Sequence, residues 1–161
     1  MRRFVIAFAL LLLARTAPAQ DQYLELARQD LKTQKVALVT EAMQLTEAQS
    51  EPFWKVYRDY DYELAKIGDN RLALLKEYAN TYETMTDEKA NELAIWSMKA
   101  DMDRLQLREK YYGVMSEQLS PTIATRWMQV ERQIATLMDL QIAAQIPLIQ
   151  KAESPAPAAN P

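Results

Sequence analysis

Three times in this chain an apolar residue and a hydroxyl residue stand side by side before a long amphipathic run: Leu45 with Thr46, Met85 with Thr86, and Leu119 with Ser120. Each pair is a helix start. At the first, the Thr46 hydroxyl can accept from the backbone N–H of Gln49 while the Gln49 side chain reaches back to the N–H of Thr46, a reciprocal capping box. At the third, Pro121 occupies the favoured first helical position. Three starts cut the chain into four predicted helices, about Tyr23 to Met43, Glu47 to Tyr82, Asp87 to Gln118 and Pro121 to Ile146. Gly68 and Gly113 are the only glycines, so tight turns are scarce. The expected fold class is all-α: four helices with long antiparallel hairpins.

Apolar spacing supports these limits. In the second helix Phe53, Val56, Tyr57, Tyr60, Leu64, Ile67, Leu74, Leu75, Tyr78 and Tyr82 recur by threes and fours, the period of one helical face. Gly68, Asp69 and Asn70 are poor helix formers and mark a candidate bend. Pro52 falls in the second turn, where it disrupts less than it would mid-helix. An echo links the second and fourth helices, since Phe53 and Val56 follow Leu45 at the offsets by which Trp127 and Val130 follow Leu119. The third helix is unlike the rest. It carries one apolar set at Leu93, Trp96, Ala100, Leu107 and Tyr111 and another at Ile95, Met98, Met102, Leu105 and Tyr112. Two stripes predict packing on the chain's own core at one face and on a second copy or a client at the other, the alternative being a helix central in a monomeric bundle and buried on several sides.

The ends read as processing signals. Met1-Arg2-Arg3, an apolar run from Phe4 to Ala14 and Ala17-Pro18-Ala19 have the form of a secretory signal peptide, residues 1–19, cleaved after Ala19. With no cysteine there is no lipobox, and no later run approaches the roughly 20 apolar residues of a membrane-spanning helix, so no transmembrane anchor is expected in the mature chain. The expected location is the periplasm. Residues 20–149 are expected to form a single helical domain, and 150–161, rich in Pro and Ala, a disordered tail. Cleavage removes three of the 19 basic residues (Arg2, Arg3 and Arg15) and none of the 22 acidic ones, leaving a net charge of −6. That balance disfavours nucleic acid as a partner.

The chemistry is bounded by absences. The chain has no histidine and no cysteine, which excludes a Ser-His-Asp triad, a cysteine nucleophile, a His/Cys zinc site and a His-ligated haem from this chain alone. Acid pairs at helical spacing, such as Glu47 with Glu51 and Asp59 with Glu63, read as solvated faces, because a di-metal carboxylate bundle adds histidine to its acids. Met98 and Met102 are one turn apart and could hold Cu(I) through thioether sulfur, but methionines on an apolar stripe are expected to be core. Neither an enzyme, a metal site nor a cofactor is expected. The aromatic residues are the remaining asset. Singly they are expected to seal a small bundle; together, with methionines, they can form an adaptable binding face. Trp54, Tyr57, Trp96, Met98, Met102, Leu105 and Tyr112 are the candidate client or dimer surface, and Leu45, Thr46, Gln49, Thr86, Leu119 and Ser120 the candidate structural caps.

Leu45-Thr46-Glu47-Ala48-Gln49 reads LTxxQ, and Leu119-Ser120-Pro121-Thr122-Ile123 is a degenerate second copy. With the signal sequence and helical remainder, the chain resembles the Spy/CpxP family of periplasmic LTxxQ-motif proteins. Leu45-Thr46 through Phe53-Trp54-Lys55-Val56-Tyr57, Met85-Thr86-Asp87-Glu88 and Ile146-Pro147-Leu148 look closer still to uncharacterised exported relatives of that group. The resemblance implies a thin, curved antiparallel homodimer of helical hairpins that holds unfolding clients on its concave side without ATP. Some relatives instead damp an envelope-stress sensor kinase or bind metal. By motif, Leu45, Thr46 and Gln49 would lock the loop before helix two, with Leu119 and Ser120 as the second copy. Ile123 departs from the motif's Gln, the lack of histidine argues against the metal-binding branch, and the acidic charge argues against a strongly basic client surface.

The expected function is therefore a non-enzymatic, ATP-independent chaperone of the envelope that binds unfolded or partly folded clients, as a homodimer. The alternative is a regulatory binding protein acting on an envelope-stress sensor or an anti-sigma factor.

Overall fold

The computed structural model describes residues 33–149. The expected signal sequence, the start of helix one and the Pro/Ala-rich tail lie outside the described residues. Those described are helical, with no strand among them: α1 (33–43), α2 (Glu47–Thr81), α3 (Asp87–Gln118) and α4 (Pro121–Ala143), with a single 3-10 turn at Tyr82–Thr84 after α2. The all-α expectation holds. No described helix is long and apolar enough to cross a membrane. The described residues divide into two units, 33–42 and 43–149. Of the first, the described part is one helix, in which the Thr40 hydroxyl donates back to the Val36 carbonyl at 2.8 Å.

The three helix starts fall where the hydroxyl residues place them. Thr86 Oγ1 accepts from Lys89 N–H at 3.2 Å, and Ser120 Oγ from Ile123 N–H at 3.3 Å. At Thr46 both halves of the capping box are present: Gln49 Oε1 accepts from Thr46 N–H at 3.0 Å, and Gln49 N–H, which also reaches the Thr46 carbonyl at 3.0 Å, faces the Thr46 hydroxyl. An alanine at Thr86 or at Thr46 should therefore cost about 1 kcal/mol in urea unfolding. Ahead of α2, Gln44 adopts a left-handed backbone (φ 49°), where glycine or asparagine is usual; its side chain accepts from Arg126 Nη2 at 3.3 Å.

α2 runs unbroken through Pro52 and through Gly68, Asp69 and Asn70. It and α3 form an antiparallel hairpin whose register is marked by Glu63 with Lys110, Asn70 with Trp96 and Glu77 with Lys89. α4 returns along α3 after Leu119 and Ser120 alone. It ends at Ala143, before the expected Ile146, because Pro147 has no N–H to continue the ladder and restricts the residue ahead of it. α3 packs on both partners, whereas no Cα of α2 lies within 8 Å of one in α4. Large side chains fill that gap. Tyr60 meets Tyr111 of α3 and Trp127 of α4 edge-on, at 5.5 and 4.9 Å between ring centroids. Around them Phe53, Val56, Leu107, Met115, Ala124 and Val130 are buried. The echoed pairs, Phe53/Val56 and Trp127/Val130, are all core.

Candidate functional site

α3 has two apolar faces, and among the described residues only one is covered. Leu93, Ala100, Leu107, Tyr111 and Met115 face the core. Ile95 and Met102 each follow a buried residue by two positions, a rotation of about 200°, so the second stripe runs along the side opposite the core. Its members are largely exposed: Ile95 54%, Met98 57%, Met102 55% and Leu105 60%. Their steps of three, four and three residues are those of the a and d positions of a heptad, the pattern that faces another helix. Charges flank the stripe: Lys99 Nζ contacts both Asp103 oxygens at 3.0 Å, and Arg104 Nη2 contacts Asp101 Oδ1 at 3.3 Å. An outer helical face is ordinarily polar; this one is apolar along its centre and charged at its margins.

The expectation that Met98 and Met102 are core is thus corrected, because the core is already filled by the other face. Three more of the candidate surface residues sit elsewhere, and a fourth, Tyr112, stays on the stripe but is half-covered. Tyr57, 2% exposed, is in the core and not on any surface. Trp54 is half-buried, edge-on to Phe53 and Tyr57. Trp96 is half-buried, its Nε1–H donating to Asn70 Oδ1 at 2.9 Å, which ties α3 to α2. Tyr112, at the next d position, is half-buried. The exposed stripe contracts to Met98, Met102 and Leu105 from the candidate surface, joined by Ile95.

Polar ties hold α3 in place. Asp139 of α4 accepts Arg104 through two bonds (3.1 and 2.8 Å) and Arg71 of α2 through a third (2.9 Å), so one carboxylate joins three helices. Burial alone would raise its pKa, but the Arg104 and Arg71 bonds outweigh that and hold it below the usual value. A lowered carboxylate pKa contributes stability that is present above the unfolded value, near 3.9, and lost as pH falls through the folded one. Asp139→Asn should therefore cost about 1 kcal/mol at neutral pH, the group being partly screened by water, and should flatten the loss of Tm below pH 4. Farther along, Glu63 accepts Lys110 Nζ (2.7 and 2.8 Å) and the Tyr111 hydroxyl (2.8 Å). Those bonds lower the Glu63 pKa; burial, then Glu63, pushes Tyr111 up to about 12.

The buried Glu131, 3% exposed, was not anticipated. The Tyr57 and Tyr60 hydroxyls donate to its two oxygens at 3.1 and 2.9 Å. Burial first, then the Glu131 charge, raises both tyrosine pKa values far out of the working range, so both remain donors. Its position among Trp127, Val130 and Ile134 is the one available signal. The cluster is packed among rings and works as structure. Among the described residues no group of three or more acids could hold a metal ion. No protein-family model matches the chain, and neither the curated proteins nor the solved structures contain a match to it.

Proposed function

We propose that this protein is a non-enzymatic, ATP-independent chaperone of the bacterial envelope that holds apolar segments of unfolded or partly folded proteins on the outer stripe of α3. The observation that carries the reading is that stripe: four large apolar side chains, more than half exposed, opposite a complete core. Periplasmic export and kinship with the Spy/CpxP group are parts of the proposal, supported by the first nineteen residues and by the LTxxQ start of α2. Methionine at two of the four positions suits many clients, since a flexible thioether chain repacks against different surfaces.

In the resting state two copies cover each other's stripes. Four half-exposed side chains offer far less than the roughly 800 Å² per partner of a standard interface. Such a dimer is weak, and a client can displace one copy. The heptad spacing favours a second reading, in which the partner is a single helix of an envelope sensor or anti-sigma factor. Light scattering of a chemically unfolded client, without nucleotide, separates the two. Suppression of aggregation near one dimer per client is the expected result; no suppression across several clients would turn the reading to the dedicated regulatory partner.

A further inference from the structure

The exposed stripe of α3 is symmetric about its midpoint. Met98 and Met102 stand two residues either side of Ala100, and Ile95 and Leu105 five residues either side. A twofold axis at the level of Ala100 therefore lays an antiparallel second copy on the stripe with its apolar positions matched. Ile95 meets Leu105 of the other copy and Met98 meets Met102, so that a positions pack against d positions. The charged margins do not oppose this. Lys99 is paired with Asp103 and Asp101 with Arg104 along the same helix, and residues 95–105 carry no net charge.

The same axis gathers chemistry that one copy lacks. Met98 and Met102 are one turn apart, about 6 Å along the helix, and both are more than half exposed. The objection that methionines on an apolar stripe belong to a core does not apply to these two. In the pair they fill the two central layers, so four thioether sulfurs surround the axis. Each sits on an unbranched chain with three rotatable bonds and can swing towards a common centre. Neutral, soft sulfur selects Cu(I). A harder divalent ion is disfavoured, because the neighbouring carboxylates Asp101 and Asp103 are engaged by Arg104 and Lys99 and the chain has no histidine. We infer that Met98 and Met102 of two copies together form a binding site for Cu(I) at the twofold axis, and that the bound ion ties the copies together. The site rests on the proposed pairing of α3 stripes and is incomplete in one copy. An ion held there keeps the stripe from clients.

The test uses Ag(I), a soft ion of the same charge that is stable in air, titrated calorimetrically into the full-length mature protein in chloride-free buffer, with multi-angle light scattering before and after. One Ag(I) per two chains is the expected stoichiometry. Free Ag(I) at a hundred times its Kd should favour the pair over single copies by about 100-fold. Met98→Leu with Met102→Leu, which keeps volume and apolar surface, should abolish both effects and leave the concentration-dependent dimer of the metal-free protein in place. One Ag(I) per chain with no change in mass would overturn the inference, as would undiminished binding by the double leucine variant. A parent that dimerises without binding Ag(I) would remove the metal site and leave the pairing of stripes standing. A parent that neither dimerises nor binds Ag(I) would remove both.

Discussion

Trp127→Ala should lower the free energy of unfolding by about 3–5 kcal/mol, with a fall in Tm on the order of 10 °C. Trp127 is fully buried and meets the Tyr60 ring edge-on at the point where three helices converge. Because α2 and α4 touch only through side chains, removing the indole leaves a cavity that backbone movement cannot readily close. Its Nε1–H is buried and finds no acceptor among the described residues. The residue therefore works by volume, and Trp127→Phe should cost less than half as much. Differential scanning calorimetry of the three proteins checks this; equal losses for Ala and Phe would show that the indole nitrogen, not the volume, is what the core requires.

Met102→Glu combined with Leu105→Glu should do the reverse, leaving stability within about 0.5 kcal/mol of the parent while weakening binding about 100-fold or more. Both side chains are exposed, and an exposed helical position tolerates a charge. Covered by a second copy or a client, the same carboxylates would be stripped of water without a cation to meet them. Multi-angle light scattering should find the parent in concentration-dependent equilibrium between one and two copies and the variant at one copy throughout. Suppression of client aggregation should fall in parallel. A variant that stayed dimeric and active would show that another surface binds.

Much of the architecture was legible in the sequence because its determinants are local. A hydroxyl before an amphipathic run can be recognised without knowing what the helix packs against, and Thr86 and Ser120 cap as their positions imply. At Thr46 too the reciprocal box that the motif implies is present, with Gln49 N–H also reaching the Thr46 carbonyl. The two faces of α3 were equally legible as a pattern. Which residues the neighbours cover was not. Tyr57 belongs to the same aromatic run as Trp54, and only its position beneath α4, with its hydroxyl on Glu131, puts it in the core. Met98 and Met102 were expected inside because apolar residues usually are; they lie outside because Ala100 and Leu107 already occupy the inner face. Glu131 shows the opposite failure. A charge reads as surface until two tyrosines 71 and 74 residues away converge on it.

On the proposed function, the outer face of α3 is where this protein holds other chains. Its methionines make the test direct, since Met98 and Met102 lie on that face while Met43 and Met115 are buried. The measurement is NMR of the protein labelled at methionine methyl carbons, recorded as an unfolded client is added without nucleotide. The Met98 and Met102 signals should shift or broaden in proportion to bound client while those of Met43 and Met115 stay in place. Client binding with Met98 and Met102 unmoved would show that clients are held on another surface.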